Sequence, residues 1–124
     1  YWEREMTDSV IENAKSFEGG PEERIWTLMQ RVMSEGAAQY DLAFWHWAQA
    51  DTEANAAFKR TLKKRFAFAK WMFKEAGFDD DQAEARGRMF VVYMMGESTL
   101  IDDSESNREK LLRVKFEVLI NDTD

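Results

Sequence analysis

Apolar residues between positions 58 and 76 recur every three or four places, the spacing that puts side chains on one face of an α-helix. The pattern stops at Gly77, which suits the left-handed turn that ends many helices. Because Asp51 is a suitable N-cap, we predict a long helix from about Thr52 to Ala76. The face that we expect to be buried consists of Phe58, Leu62, Phe66, Ala69, Phe73 and Ala76.

A second long helix is predicted after this turn, running as far as Glu97. Its start carries the acidic residues 79–81. Their carboxylates can accept bonds from the first backbone amides and suit the positive end of the helix. We therefore interpret them as a helix start, in preference to a cation site. The apolar residues of this helix spread over more than one face, which predicts two neighbouring elements.

Three further helices are predicted before the long one. The first runs from Tyr1 to Phe17, with apolar residues on one face. The second begins at Pro21, a residue that is favoured in the first turn of a helix, and ends near Gly36. The third, from about Ala37 to Ala48, is apolar on nearly every side. Such a helix is expected to be buried or to face a cavity.

The last segment carries two conflicting patterns. Alternate residues from Leu112 to Val118 are apolar, which taken alone is typical of a strand. Ser106 and Glu109, however, have the spacing of a helix-capping box, and no other segment could serve as a strand partner. We therefore predict a sixth helix after a polar link at residues 102–107. The fold class predicted is an all-α six-helix bundle, a single domain spanning residues 1–124.

The composition supports a packed domain and narrows its function. The 124 residues are 44% hydrophobic and include five Trp, nine Phe and seven Met. These side chains fill cores and also line adaptable apolar cavities. A net charge of −7 argues against nucleic-acid binding by this chain alone. The lack of cysteine excludes disulfides and fits a reducing cytosol, and no apolar run approaches the ~20 residues that a membrane span needs.

Candidate reactive groups are few. His46 is the only histidine, so the paired Glu-x-x-His motifs of a di-iron bundle are absent, and we interpret it as a partly exposed side chain. Glu97 is interpreted as a helix-end carboxylate near solvent, in preference to a buried group that meets a ligand. The basic run from Lys59 to Arg65 is interpreted as a solvated helix face. Without a nucleophile–base pair or a phosphate loop, we predict neither catalysis nor a cofactor.

Two groups of residues stand out by their order and spacing. The first group is Tyr40-Asp41-Leu42-Ala43, Trp47-Ala48 and Asp51, and the second is Phe73, Gly77-Phe78, Ala83, Arg86 and Gly96. Together the two groups resemble the C-terminal domain of tetracycline-repressor (TetR) family transcriptional regulators. Members of that family have an aspartate and an alanine before a Trp-Ala pair, and a Gly-Phe turn between two long helices, although an arginine often stands where this chain has Trp45.

This resemblance implies a sensor for a small apolar or amphipathic effector, which forms a homodimer through its last two helices. DNA would be bound only through the family's N-terminal helix-turn-helix head, since Tyr1 matches a position shortly after the recognition helix. Ligand binding would shift the first helix and release DNA. The expected ligand-binding residues are Trp26, Met29, Met33, Phe44, Trp45, Phe66, Phe90, Tyr93 and Met94. The expected dimer interface consists of Gly87, Met89, Val92, Gly96, Leu112, Phe116, Leu119 and Ile120.

A different class of function stays open beside this one. The chain could be a helical adaptor bundle that binds a protein partner through an apolar surface. An adaptor is expected to have a filled core and an exposed apolar groove, whereas a sensor is expected to enclose an apolar cavity. The same aromatic and methionine residues would then form a solid core.

Overall fold

The computed structural model describes residues 7–35, 38–100 and 104–121. These residues form six α-helices and no strand, which confirms the all-α prediction for this part of the chain. Within the same residues, no helix has both the length and the apolar character needed to cross a membrane. The predicted start of the first helix at residues 1–6 and the predicted stop at Gly36 lie outside the described residues. The helices are α1 (Ser9–Lys15), α2 (Pro21–Glu35), α3 (Ala38–Ala48), α4 (Thr52–Glu75), α5 (Asp80–Leu100) and α6 (Glu105–Ile120).

Local signals in the sequence set the ends of the long α4–α5 hairpin. The Asp51 side chain accepts a hydrogen bond from the backbone N–H of Ala54 at 2.9 Å, as an N-cap does. Gly77 has a φ of 103°, the left-handed conformation that ends α4. Asp79 then accepts a bond from the amide of Gln82 at 2.8 Å. The predicted cap, stop and restart are thus confirmed.

Asp80 has a different role from that of Asp79, which caps α5. Lys70 and Lys74 on α4 reach its two carboxylate oxygens at 3.1 and 3.2 Å. The hydrogen bonds from Lys70 and then Lys74, together with their positive charges, lower the pKa of Asp80 below its ordinary value. Asp80 therefore ties the start of α5 back to α4, a function that the capping interpretation did not include.

The last element is a helix, as predicted, but it begins earlier than the capping box indicates. Ser104, and not Ser106, is the N-cap, since its hydroxyl accepts a bond from the amide of Asn107 at 3.1 Å. The alternating apolar pattern arises because α6 carries apolar residues on two sides. Leu112, Phe116 and Leu119 are buried at helical spacing, while Val114 and Val118 face outward.

The main core lies between α2, α4, α5 and α6. Its most deeply buried large side chains are Ile25 and Met29 from α2 with Met72 and Phe73 from α4. The buried face of α4 is displaced by about one residue from the predicted one, because Leu62 and Phe66 are only half-buried. The buried residues of α4 are Ala54, Phe58, Thr61, Phe68, Ala69, Met72 and Phe73.

Gly87 allows α4 and α5 to pack closely within one chain. A Cβ atom at this position would lie 2.9 Å from the backbone nitrogen of Lys70 and 3.1 Å from the carbonyl carbon of Ala69. No side chain fits there unless the two helices move apart. The predicted role of Gly87 in a dimer interface is therefore corrected, since the close approach is made to α4 of the same chain.

α3 was predicted to be buried or to face a cavity, and the structure covers it on one side only. This helix packs mainly against α4 and α5, and Tyr40 and Asp41 at its start line a cavity. Asp41 and Ala48 are the buried residues on the covered side. An apolar helix surface is left uncovered among the described residues, and its large exposed side chains are Tyr40, Leu42, Trp45 and Trp47.

Candidate functional site

A cavity of about 120 Å³ lies between the first five helices. Aliphatic, aromatic and methionine side chains form most of its wall. Polar groups come from the N-terminal side of α1, from the start of α3 and from the middle of α4. The lining residues are Thr7, Val10, Ile11, Leu28, Val32, Tyr40, Asp41, Arg65, Phe68, Ala69, Phe90, Val91, Met94 and Met95.

An ion pair between α3 and α4 forms the polar end of this cavity. The guanidinium of Arg65 donates from Nη1 to Oδ2 of Asp41 at 3.0 Å and from Nη2 to Oδ1 at 2.9 Å. Its Nε donates to the Thr7 hydroxyl oxygen at 2.9 Å. The Asp41 side chain is only 8% exposed, and Thr7 is fully buried. This bidentate geometry is the strongest form of a charge-assisted hydrogen bond in proteins.

Helical spacing places each of these two charges on the packed face of its own helix. Arg65 follows the buried Thr61 by four residues and precedes the buried Phe68 by three, so it lies on the packed face of α4. Asp41 lies seven residues before Ala48, on the side of α3 that faces α4. Each charge would be costly to bury alone, and pairing offsets that cost.

Arg65 also corrects the interpretation of the basic run on α4. Lys59, Arg60 and Lys63 are exposed, in agreement with a solvated face. Lys64 instead pairs with Asp8 at 3.1 Å, and Arg65 turns inward to the cavity. The signal for this was present in the sequence: Arg65 shares its helix face with Ala69.

Two of the predicted ligand-binding residues, Phe90 and Met94 on α5, line the cavity. The other seven are not among its described lining residues. Met29 is fully buried in the main core, and Trp26 and Met33 pack against that core. The Trp26 ring lies 5.2 Å from the ring of Phe116, so its partner is α6 and not a ligand space.

The remaining four predicted ligand residues lie in four separate places. Phe44 stacks on Phe58 with 6.2 Å between ring centroids, in a small second cluster near the start of α4. Trp45 is 44% exposed, and Phe66 packs against the main core. Tyr93 lies under the Lys115 ammonium at 4.8 Å from ring centroid to nitrogen. Aromatic character alone therefore did not identify the cavity wall.

A second buried polar group joins α5 to α6. Glu97 is 3% exposed, so its interpretation as a carboxylate near solvent was wrong. Lys115 donates to its Oε1 at 3.2 Å, while Oε2 has no hydrogen-bond partner among the described residues. Burial disfavours the charged form of Lys115, but hydrogen bonds to Tyr93 and then Glu97 outweigh this, and the pKa of Lys115 is raised above its ordinary value.

The predicted dimer residues fall into two groups. Leu112, Phe116 and Leu119 belong to the chain's own core, so their side chains are covered without a partner. This part of the predicted interface is corrected accordingly. Gly96 and Ile120 are half-buried.

Met89 and Val92, in contrast, are exposed on α5, and Val114 and Val118 are exposed on α6. Bonds from Lys115 to Glu97 and from Arg86 to the Leu119 carbonyl connect these two helices. We call these four exposed apolar side chains, two on each helix, the α5–α6 face.

The described residues contain no group of three or more acidic, histidine or cysteine side chains placed to hold a metal ion. His46 is exposed, with its ring 5.2 Å from that of Trp45, which agrees with its interpretation as an exposed side chain.

Comparisons of this chain with protein-family models, with curated proteins and with solved structures give no match. The resemblance to TetR-family regulators therefore stays a prediction that rests on the two groups of residues. The structural features that bear on function are the cavity, its polar end and the α5–α6 face.

Proposed function

We propose that this chain is the ligand-sensing and dimerisation domain of a cytoplasmic TetR-like transcriptional regulator. Its cavity binds a small apolar or amphipathic effector, and its last two helices pair two copies of the chain. In the complete regulator, ligand binding changes the relation between the two DNA-binding heads and so releases DNA. The chain itself carries no reaction under this proposal.

One observation carries the proposal: an apolar cavity of about 120 Å³ is walled by five helices that include α1. Val10 and Ile11 of α1 contact the same space as Phe90 and Met94 of α5. A ligand there touches both the first helix and α5, which also bears half of the α5–α6 face. Coupling between sites needs a ligand that favours one of two arrangements, and a ligand between α1 and α5 can favour one position of α1.

The cavity is tested by a thermal-shift screen of the chain against small apolar compounds. A compound at about 100 times its dissociation constant is expected to add ~2.7 kcal/mol to the free energy of unfolding. Ile11→Trp, which fills the cavity from α1, is expected to abolish this stabilisation. Leu62→Trp is the matched control, because Leu62 is also a half-buried aliphatic residue but packs in the second cluster.

The screen separates the outcomes clearly. Stabilisation of the wild type and of Leu62→Trp, but not of Ile11→Trp, supports ligand binding in this cavity. A flat screen of a well-folded wild type, or equal stabilisation of both variants, contradicts it.

Dimerisation is tested at the α5–α6 face. Val92 and Val118 are 63% and 64% exposed in the single chain, so a double change to glutamate is tolerated by the fold. We expect Val92→Glu/Val118→Glu to be a monomer at micromolar concentration, because each charge would be buried against its copy. Sizing with light scattering measures the mass. The control, Leu42→Glu/Trp47→Glu on α3, is expected to remain a dimer.

A wild-type monomer at high concentration would refute the dimer assignment. So would a double glutamate variant that keeps the dimeric mass.

The second candidate, a helical adaptor, is favoured by one observation. α3 exposes Leu42, Trp45 and Trp47, and aromatic side chains are enriched where proteins bind one another. A flat ligand screen together with loss of binding to a protein partner in the α3 double variant would favour this adaptor function.

A further inference from the structure

The polar end of the cavity restricts the chemical class of the ligand. This inference rests on the proposed function, since it assumes that the cavity is a binding site. From the Asp41–Arg65–Thr7 geometry we infer that the site takes a compact, neutral molecule with a hydroxyl group on an apolar body, such as a small phenol or alcohol.

The first step concerns charge. Arginine carries a positive charge in proteins, and both oxygens of the Asp41 carboxylate accept hydrogen bonds from the Arg65 guanidinium at 2.9 and 3.0 Å. Opposite charges therefore lie side by side at this end of the cavity. An anionic ligand would meet the Asp41 carboxylate as well as Arg65, and a cationic ligand would meet Arg65 as well as Asp41. Either ligand would lose its hydration in an apolar cavity without gaining a net opposite charge.

The second step concerns hydrogen bonding. A carboxylate has about four acceptor positions, and the two bonds from Arg65 take two of those of Asp41. Asp41 therefore keeps capacity for a donor from the cavity. Thr7 accepts from Nε of Arg65, and a hydroxyl can donate as well as accept. A ligand hydroxyl is complementary to this arrangement because it can donate to Asp41.

The third step concerns size and the remaining wall. A cavity of about 120 Å³ is close to the ~150 Å³ of an apolar cavity known to admit benzene. Phe68, Phe90, Val91 and Met94 supply the apolar wall. A single ring bearing one polar group fits this volume.

The experiment compares phenol with toluene, which has a methyl group in place of the hydroxyl, by isothermal titration calorimetry. Both are titrated into the wild type and into Asp41→Leu/Arg65→Met, which replaces the pair by apolar side chains. We expect the ratio of phenol affinity to toluene affinity to fall at least about tenfold in the double variant, the effect of one hydrogen bond to a charged group. Circular dichroism checks that the variant is folded.

A series on the wild type alone keeps the inference testable if the double variant does not fold. Benzoate and benzylammonium have the same ring and carry opposite charges. We expect phenol to bind at least about tenfold more tightly than either ion. Each ion would lose its hydration and would meet a like charge beside the opposite one.

The outcomes distinguish this inference from the proposed function. Toluene binding with an unchanged phenol-to-toluene ratio, or tighter binding of either ion, overturns the hydroxyl assignment and leaves the sensing function standing. If no compound of the series binds the folded wild type, the hydroxyl assignment is overturned, while the wider thermal-shift screen decides the sensing function separately.

Discussion

Asp41→Leu is expected to lower the free energy of unfolding by about 3–5 kcal/mol, the cost of leaving a buried charge without its partner. The Arg65 side chain is only 14% exposed, and it donates hydrogen bonds to both carboxylate oxygens of Asp41. Leucine has the same number and branching of side-chain heavy atoms as aspartate but accepts no hydrogen bond. Urea unfolding followed by circular dichroism measures the change.

Two controls isolate the cause of this loss. The double variant Asp41→Leu/Arg65→Met removes both charges, and replacing a whole buried pair is often neutral, so we expect a stability within about 1 kcal/mol of wild type. Asp8→Leu makes the same substitution at a pair with Lys64 whose side chains are 39% and 31% exposed. Such a pair contributes about 0–1 kcal/mol. A single Asp41→Leu variant that is as stable as the double variant would contradict a buried pair.

Phe116→Ala is expected to cost about 3–5 kcal/mol, the usual loss on truncating a buried aromatic side chain. Phe116 is almost fully buried and packs against Trp26 with 5.2 Å between ring centroids. Urea unfolding at a fixed protein concentration measures the loss, and sizing records the oligomeric state in parallel.

Val118→Ala is the control for this result, two residues further along the same helix. Its side chain is exposed in the single chain, and an exposed substitution usually changes stability by less than about 0.5 kcal/mol. If Phe116→Ala instead keeps its stability and separates a dimer into monomers, Phe116 belongs to the interface and not to the core.

The helix that contains Phe116 and Val118 shows which features of the molecule could be predicted from the sequence. The helix containing Phe116 was predicted against an alternating pattern, and it is a helix. The burial of Phe116 in the chain's own core was not predicted, because Phe116, Val114 and Val118 are all apolar. Only the neighbouring helix α2 decides which of them is covered.

The candidate site was predicted in part, for a similar reason. Phe90 and Met94 line the cavity as expected, since an apolar wall is made of apolar residues. Asp41 and Arg65 were not predicted as its polar end. They are 24 residues apart in the chain, and no local pattern indicates that two charges on different helices will meet.

The sequence by itself determined where α4 begins, where it ends and where α5 starts. Asp51, Gly77 and Asp79 act on backbone groups within one turn, so their effect is independent of distant residues. The tertiary structure alone decided which faces are covered, that Gly87 contacts α4 of its own chain, and that Asp41 reaches Arg65. These outcomes depend on how the helices pack around one another, because a side chain is buried or exposed only relative to a neighbour that lies far away in the sequence.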